Sequence, residues 1–244
     1  MSTQINHRQP ARGRQVPNRR SPLLPFYVLL GAIAVIGVVV IGVVAVRGSA
    51  ATTPTTTATV PAPINAPTGT TSDGFYYKGS PDAPVKVIEY ADFQCPACGQ
   101  FATTMEGSIN SAYIESGKVQ LIYHEFPLPQ HTNAVISAEA ARSAGAQGKF
   151  WQMHDLLFAR QSEWEGLSDP RAQFVQYAAL LGLNTTTFSN ALANGTYANA
   201  VQSALSASES AGIQQTPTFV VDGKQVLANQ LQAAIDAALQ AAGH

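Results

Sequence analysis

Charge and cysteine are both scarce in this chain. Only 12% of its 244 residues are charged, about half the ~25% usual for soluble domains. With 45% hydrophobic residues, that shortage excludes a charge-driven disordered protein and implies that part of the chain avoids water. Two cysteines, three positions apart, exclude a multi-bridge disulfide scaffold. Acidic side chains are absent before Asp73, whereas residues 1–47 carry Arg8, Arg12, Arg14, Arg19, Arg20 and Arg47. Residues 73–244 hold eight basic and fifteen acidic groups, a net charge of −7. An acidic body lacks the Lys and Arg that phosphate contacts require, which argues against nucleic acid as a partner. No internal repeat is visible.

Residues 26–46 form the one long uncharged apolar run, 21 residues from Phe26 to Val46. A helix of that length rises roughly 30 Å, the thickness of a bilayer's hydrocarbon core. Five arginines precede the run and one follows it, so the charge rule predicts a single transmembrane helix behind a basic cytoplasmic tail, residues 1–25. A cleavable leader is the competing reading, with Gly48-Ser49-Ala50 as small residues for a cut. Leader cores run about 7–15 residues, however, shorter than this one. Either way the body is expected outside the cytoplasm. Residues 47–73, rich in Thr, Pro and Ala with Pro54, Pro61, Pro63 and Pro67, read as an extended linker rising about 3.1 Å per residue.

The remaining residues, 74–244, are long enough for a core of their own. Val85–Tyr90 and Val119–Phe126 read as strands flanking a helix that opens at Cys95 and runs to about Ser116, with Gly117 as its stop. Strand, helix and strand in so short a span predict a parallel βαβ pair. Residues from about 130 to 212 read as helical. Phe150, Met153, Leu157 and Phe158 recur on one face, Asp169-Pro170 serves as cap and first helical residue, and Asn184 or Thr185 caps a further helix. Pro217–Val221, an Asp222-Gly223 turn and Lys224–Leu227 predict a hairpin, and Leu231, Ala234, Ile235, Ala238 and Leu239 a closing amphipathic helix. The order β-α-β, helices, β-β-α implies an α/β fold with an inserted helical subdomain.

Cys95-Pro96-Ala97-Cys98 opens the first helix. Proline is at no disadvantage in a first turn, and the free N–H groups and positive helix end favour a thiolate at Cys95. Cys98, one turn in, is placed to displace whatever Cys95 captures. Zinc is disfavoured, since no second Cys pair exists and His7, His124, His131, His154 and His244 show no paired spacing. A purely structural bridge closes too small a loop to restrict the unfolded chain much. Glu89, interrupting an apolar strand, reads either as a surface residue or as a buried carboxylate relaying protons to Cys98. Thr216-Pro217 reads as an ordinary strand entry or as a cis peptide. His124 and His131 read as plain loop residues.

Four segments in order carry a resemblance: Phe93-Gln94-Cys95-Pro96-Ala97-Cys98, Glu125-Phe126-Pro127-Leu128, Gln147-Gly148-Lys149-Phe150-Trp151 and Thr216-Pro217-Thr218-Phe219. Together they resemble the DsbA-like thiol–disulfide oxidoreductases of thioredoxin fold, in the membrane-tethered BdbD-type form. The resemblance implies Cys95 as nucleophile, Cys98 as resolving thiol, Glu89 as a buried acid and Thr216-Pro217 as a cis-proline loop binding substrate backbone. It implies no bound cofactor, cysteine-bearing exported proteins as substrates, and a membrane redox partner that reoxidises the pair. Pro96 and Ala97 tune the potential. Strong oxidants of the family carry His where Ala97 stands, so the direction of exchange stays open between an oxidase and a reductase or isomerase kept reduced by a membrane electron carrier. A tethered peptide-binding holdase with vestigial cysteines is the reading from another class.

Overall fold

The computed structural model describes residues 61–244. The expected tail and anchor, residues 1–46, and most of the expected linker lie outside the described residues. Among those described, no helix is long and apolar enough to cross a membrane.

Six strands form one sheet: β1 (Thr68–Thr70), β2 (Tyr76–Lys78), β3 (Val85–Ala91), β4 (Val119–Glu125), β5 (Thr218–Val221) and β6 (Lys224–Val226), in the order β1-β2-β4-β3-β5-β6. β3 and β4 are parallel, as the βαβ spacing predicts, and every other pairing is antiparallel. β1 lies inside the stretch expected as linker, and Ile64 and Ala66 pack against the core. The sheet therefore begins before residue 74. Short strands of Thr, Gly and Tyr carry little alternation, which hides β1 and β2 from a periodicity reading.

The helices are α1 (Pro96–Thr104), α2 (Glu106–Ile109), α3 (Ala134–Gly145), α4 (Phe150–Ala159), α5 (Gln161–Trp164), α6 (Arg171–Leu180), α7 (Thr185–Ala193), α8 (Ala198–Ser210) and α9 (Leu231–Ala241). The helix expected to continue from Cys95 to Ser116 is instead broken at Met105, whose φ is −117°. Thr103 and Thr104 donate to the carbonyls of Gly99 and Gln100, each at 2.7 Å, a side-chain competition that weakens regular helix. Gly107 adds a poor helix former, and a π-turn over Asn110–Ile114 follows. Gly117 does end the segment, at φ 75°. Pro170 precedes α6 as its cap rather than serving as its first residue, while Asp169 Oδ1 accepts from Arg171 N at 3.1 Å. Asn184 caps α7, accepting from Thr187 N at 2.9 Å. Asp222 and Gly223 both take positive φ (47° and 77°), the conformation a two-residue hairpin turn requires.

Helices α3 to α8 fill the interval between β4 and β5. Trp164, Phe174, Tyr177 and Phe188, all fully buried, belong to the same apolar cluster as Val87, Leu121 and Phe219 of the sheet. The insertion thus shares one continuous core with the sheet. A smaller cluster of Tyr90, Phe126 and Ile213, with Leu205 of α8 against it, covers the opposite face. His124 lies in β4, within the strand expected over Val119–Phe126, with its ring stacked 3.5 Å from that of Phe75.

A buried ion pair ties the insertion to the sheet. Arg142 Nη2 of α3 donates to Glu125 Oε2 of β4 at 2.7 Å, and Nε stands 2.7 Å from Oε1. Burial pushes the Glu125 pKa up, and the guanidinium opposes that rise. Arg142→Ala leaves a buried carboxylate without its cation, so a loss of about 3–5 kcal/mol is expected in denaturant unfolding. A loss below about 1 kcal/mol would show that the pair does not hold the insertion in place.

Candidate active site

β3 ends at Ala91, and the chain turns through Asp92-Phe93-Gln94 into α1. Asp92 organises this turn. Its Oδ1 accepts from Gln94 N at 2.8 Å, its Oδ2 accepts from Leu128 N at 2.9 Å, and His131 Nδ1 stands 2.6 Å from Oδ2. The carboxylate thereby joins the loop before the dithiol to the exit of β4. Gln161 of α5 adds a second brace, donating to the carbonyls of Phe93 (2.7 Å) and Cys95 (3.1 Å). Neither Asp92 nor Gln161 stood out in the sequence. An acid at the end of an apolar strand, three residues before the first cysteine, was the available signal for Asp92.

Cys95 occupies the N-cap of α1 in extended conformation, with Pro96 in the first turn as expected. Both cysteines are free thiols, and Cys95 is 6% exposed while Cys98 is fully buried. The two sulfurs are electrostatically opposite. A hydrogen bond from the Cys98 thiol, helped by Thr216 and by the N–H groups of Ala97 and Cys98, holds the Cys95 pKa down to about 5 against the opposing effect of burial. Burial, and the anionic partner it donates to, push the Cys98 thiol far above its ordinary range. One sulfur is a thiolate at neutral pH and the other keeps its proton.

The Thr216–Pro217 peptide is cis and faces this pair. The thiol form of Cys95 donates to the Thr216 carbonyl at 3.6 Å. The Thr216 hydroxyl beside it is buried and has no hydrogen-bond partner among the described residues. Beside the pair runs a groove of about 390 Å³ whose walls include Ala97, Phe101, Met105, Thr216, Pro217 and Leu227.

Glu89 lies in β3, wholly buried, so the surface-facing alternative does not hold. Its register partners are Tyr123 on β4 and Phe219 on β5. Burial raises its pKa to about 8, with Glu106 pushing the same way and His154 and Lys78 opposing. His154, passed over in the sequence, is buried in α4 between Phe150 and Phe158. A polar ring at that spacing on an apolar helix face was the signal for it. Glu106, His154 and Asp155 bring ligand-type atoms within 4.8 Å of one another. Lys78, however, is already paired with Glu106, and a cation in place leaves little reason for a metal there.

A thiolate at a helix mouth, a buried partner thiol one turn in, and a prolyl loop opposite, all at the end of a parallel βαβ strand, define a dithiol exchange site on a thioredoxin-like fold. The chain belongs to the thioredoxin family: the family model described as Thioredoxin matches residues 71–241. Its fold is similar to that of oxidised BdbD from Bacillus subtilis (24% identity, 72% of this chain and 98% of that one, TM-score 0.64). It is also similar to α-DsbA1 from Wolbachia pipientis (23% identity, 68% and 91%, TM-score 0.60). Among curated proteins, 86 residues are 36% identical to the probable disulfide bond formation protein D of Bacillus anthracis, covering 35% of this chain and 40% of that one. A stretch of 154 residues is 36% identical to the Na(+)/H(+) antiporter NhaA 3 of Salinispora tropica, 63% of this chain and 22% of the antiporter. The chain spans about a fifth of the length of such relatives, so that likeness marks a shared domain and transfers no transport activity.

Ultraviolet thiolate absorbance of the reduced protein is expected to titrate near pH 5. Cys98→Ala, which removes the largest stabilising hydrogen bond, should move that inflection up by about one unit or more. An inflection near the ordinary thiol value in the unmodified protein would contradict the geometry.

Proposed function

We propose that this chain is an extracytoplasmic dithiol oxidase, which donates a Cys95–Cys98 disulfide to cysteine-bearing exported proteins. The observation that carries the reading is the place of Cys95 at the N-cap of α1 and against Thr216, where neighbouring donors favour its thiolate while Cys98 is fully buried. A stabilised thiolate favours the reduced enzyme, and a disulfide whose reduced form is favoured gives its oxidising equivalents away. Ala97 supplies no imidazolium, which would speak for a reductase or isomerase. Cys98, Thr216 and the helix N–H groups supply the missing stabilisation by other means.

In the donating step a client thiolate attacks the Cys95 sulfur of the bridged enzyme. The Cys95–Cys98 bond breaks, Cys98 leaves with the electron pair and takes up a proton, and a client–Cys95 bond forms. The client's second thiolate then attacks its own sulfur in that bond and expels Cys95 as a thiolate, so the client is oxidised and the enzyme reduced. The groove beside the pair, walled by Phe101, Met105 and Leu227, suits an apolar, extended client segment without demanding a sequence. No bound cofactor enters this chemistry, and a membrane redox partner restores the bridge. The apolar run 26–46 supports anchoring by one helix with the body outside, and the Thr/Pro-rich stretch after it supports a tether.

The test mixes the oxidised protein with a reduced two-cysteine peptide and follows both redox states. The peptide is expected to emerge bridged and the enzyme reduced, and Cys95→Ser abolishes the exchange. A peptide left reduced at equilibrium would favour the reductase, and no exchange by the unmodified protein, with client binding unchanged in Cys95→Ser, would favour a holdase.

A further inference from the structure

Asp92 meets both cysteines through its main chain. Its carbonyl accepts from Cys95 N at 3.0 Å. Its N–H donates to the Cys98 sulfur, drawing that thiol's pKa down against the larger effect of burial. Where this one residue sits, the two sulfurs follow. Its place is fixed by its side chain, which is wholly buried and uses both carboxyl oxygens as acceptors. One donor is local, the N–H of Gln94. The other two, Leu128 N and His131 Nδ1, come from the loop between β4 and α3.

His131 is the one donor of the three that a substitution can remove, since the others belong to the backbone. Both Asp92 oxygens already accept N–H bonds, so the 2.6 Å contact is closed by a hydrogen on Nδ1. Burial raises the Asp92 pKa, and the donors from Leu128, His131 and Gln94 oppose that rise. The loop that carries His131 is itself held. His131 N donates to Leu128 O at 3.0 Å, and Ala134 N donates to His131 O at 3.2 Å. Two residues on, Asn133 N donates to Gln94 Oε1 at 2.6 Å, and the Asn133 amide reaches the carbonyls of Trp164, Glu165 and Leu167. The loop therefore grips the dithiol turn at Asp92 and at Gln94, and is itself braced against the insertion. The His131 side chain is 19% exposed, so it can be replaced without opening the core.

We propose, on the dithiol-exchange reading above, that His131 is a positioning residue of that site, holding through the Asp92 carboxylate the main chain to which both cysteines are bonded. It acts through Asp92 and is not a catalytic residue. The role needs only a hydrogen at Nδ1, which the charged ring and one neutral tautomer both offer. With the clamp closed, the Cys95 sulfur stays against Thr216, where Cys98 and the first-turn N–H groups reach it. With the clamp open the turn shifts, those donors lose their aim, and the thiolate is less favoured.

The experiment compares the full-length protein with His131→Phe, which keeps a ring and loses the donor, and with His131→Asn, whose amide N–H stands where Nδ1 does. Thiolate absorbance is followed against pH, and the bridged protein is brought to equilibrium with a reduced two-cysteine peptide. His131→Phe should raise the Cys95 inflection by about one unit, and so lower the equilibrium constant for peptide oxidation about tenfold at neutral pH. His131→Asn should restore both values, which a role for the imidazolium charge would not allow. In an Asp92→Asn background His131→Phe should add no further shift, because both changes open the same clamp. If the Phe ring prevents folding, His131→Ala replaces it with the same expected result. Donor-free variants whose inflection and equilibrium superimpose on those of the unmodified protein would overturn the proposal while leaving the exchange reading intact. An Asn variant as impaired as Phe, or shifts that add in the double variant, would do the same. An unmodified protein that exchanges no disulfide with the peptide would overturn both.

Discussion

The unequal surroundings of two neighbouring sulfurs set what this site can do. Cys95, at the open end of α1, gathers donors from Cys98, Thr216 and the first-turn N–H groups. Cys98 sits behind it with no exposure. The fold serves this inequality: β3 delivers the chain to the helix mouth, Asp92 and Gln161 fix the turn between them, and the start of β5 brings the Thr216-Pro217 loop across. If the two sulfurs were equally exposed, neither would be a preferred nucleophile and neither would need a guarded proton.

The same core that raises the Cys98 pKa also encloses Glu89, Tyr123, His154, Lys78 and Glu106. Such a set is costly to bury, because each unpaired polar group forfeits its water. Apolar rings surround the set, with Phe219 opposite Glu89 in the sheet register and the Phe93 ring 5.2 Å from that of Tyr123. Lys78 over the Trp151 ring, 4.5 Å from its centroid, and its pairing with Glu106 keep the net charge of the set low.

Much of this was legible in the residues. Cys95-Pro96-Ala97-Cys98 after the apolar Val85–Tyr90 run signalled strand, helix mouth and dithiol together, because each has a local pattern. Gly117 and Asp222-Gly223 likewise act through their own backbone, Asn184 through a side-chain bond to Thr187 N three residues on, and each stands where a boundary was expected. Glu89 and Pro217 were ambiguous, since burial and peptide isomer depend on partners far along the chain. Asp92, Gln161 and His154 were missed for the same reason: their roles arise only when the loop, α5 and α4 converge. The break at Met105 escaped because hydroxyl back-bonding from Thr103 and Thr104 leaves helical hydrophobic spacing unchanged.

On the proposed reading, the folded protein holds Cys95 as a thiolate and so favours the dithiol state. A thiol whose folded pKa lies below its unfolded value adds stability as pH rises from about 5 toward 9, the unfolded thiol range. The bridged form has no such group to ionise. The most direct measurement is the unfolding free energy of the reduced and the bridged protein across that interval. The reduced form is expected to gain on the bridged form with each step upward in pH and to be the more stable of the two at neutrality. A bridged form that is more stable at neutral pH, with a gap that does not change between 5 and 9, would contradict it.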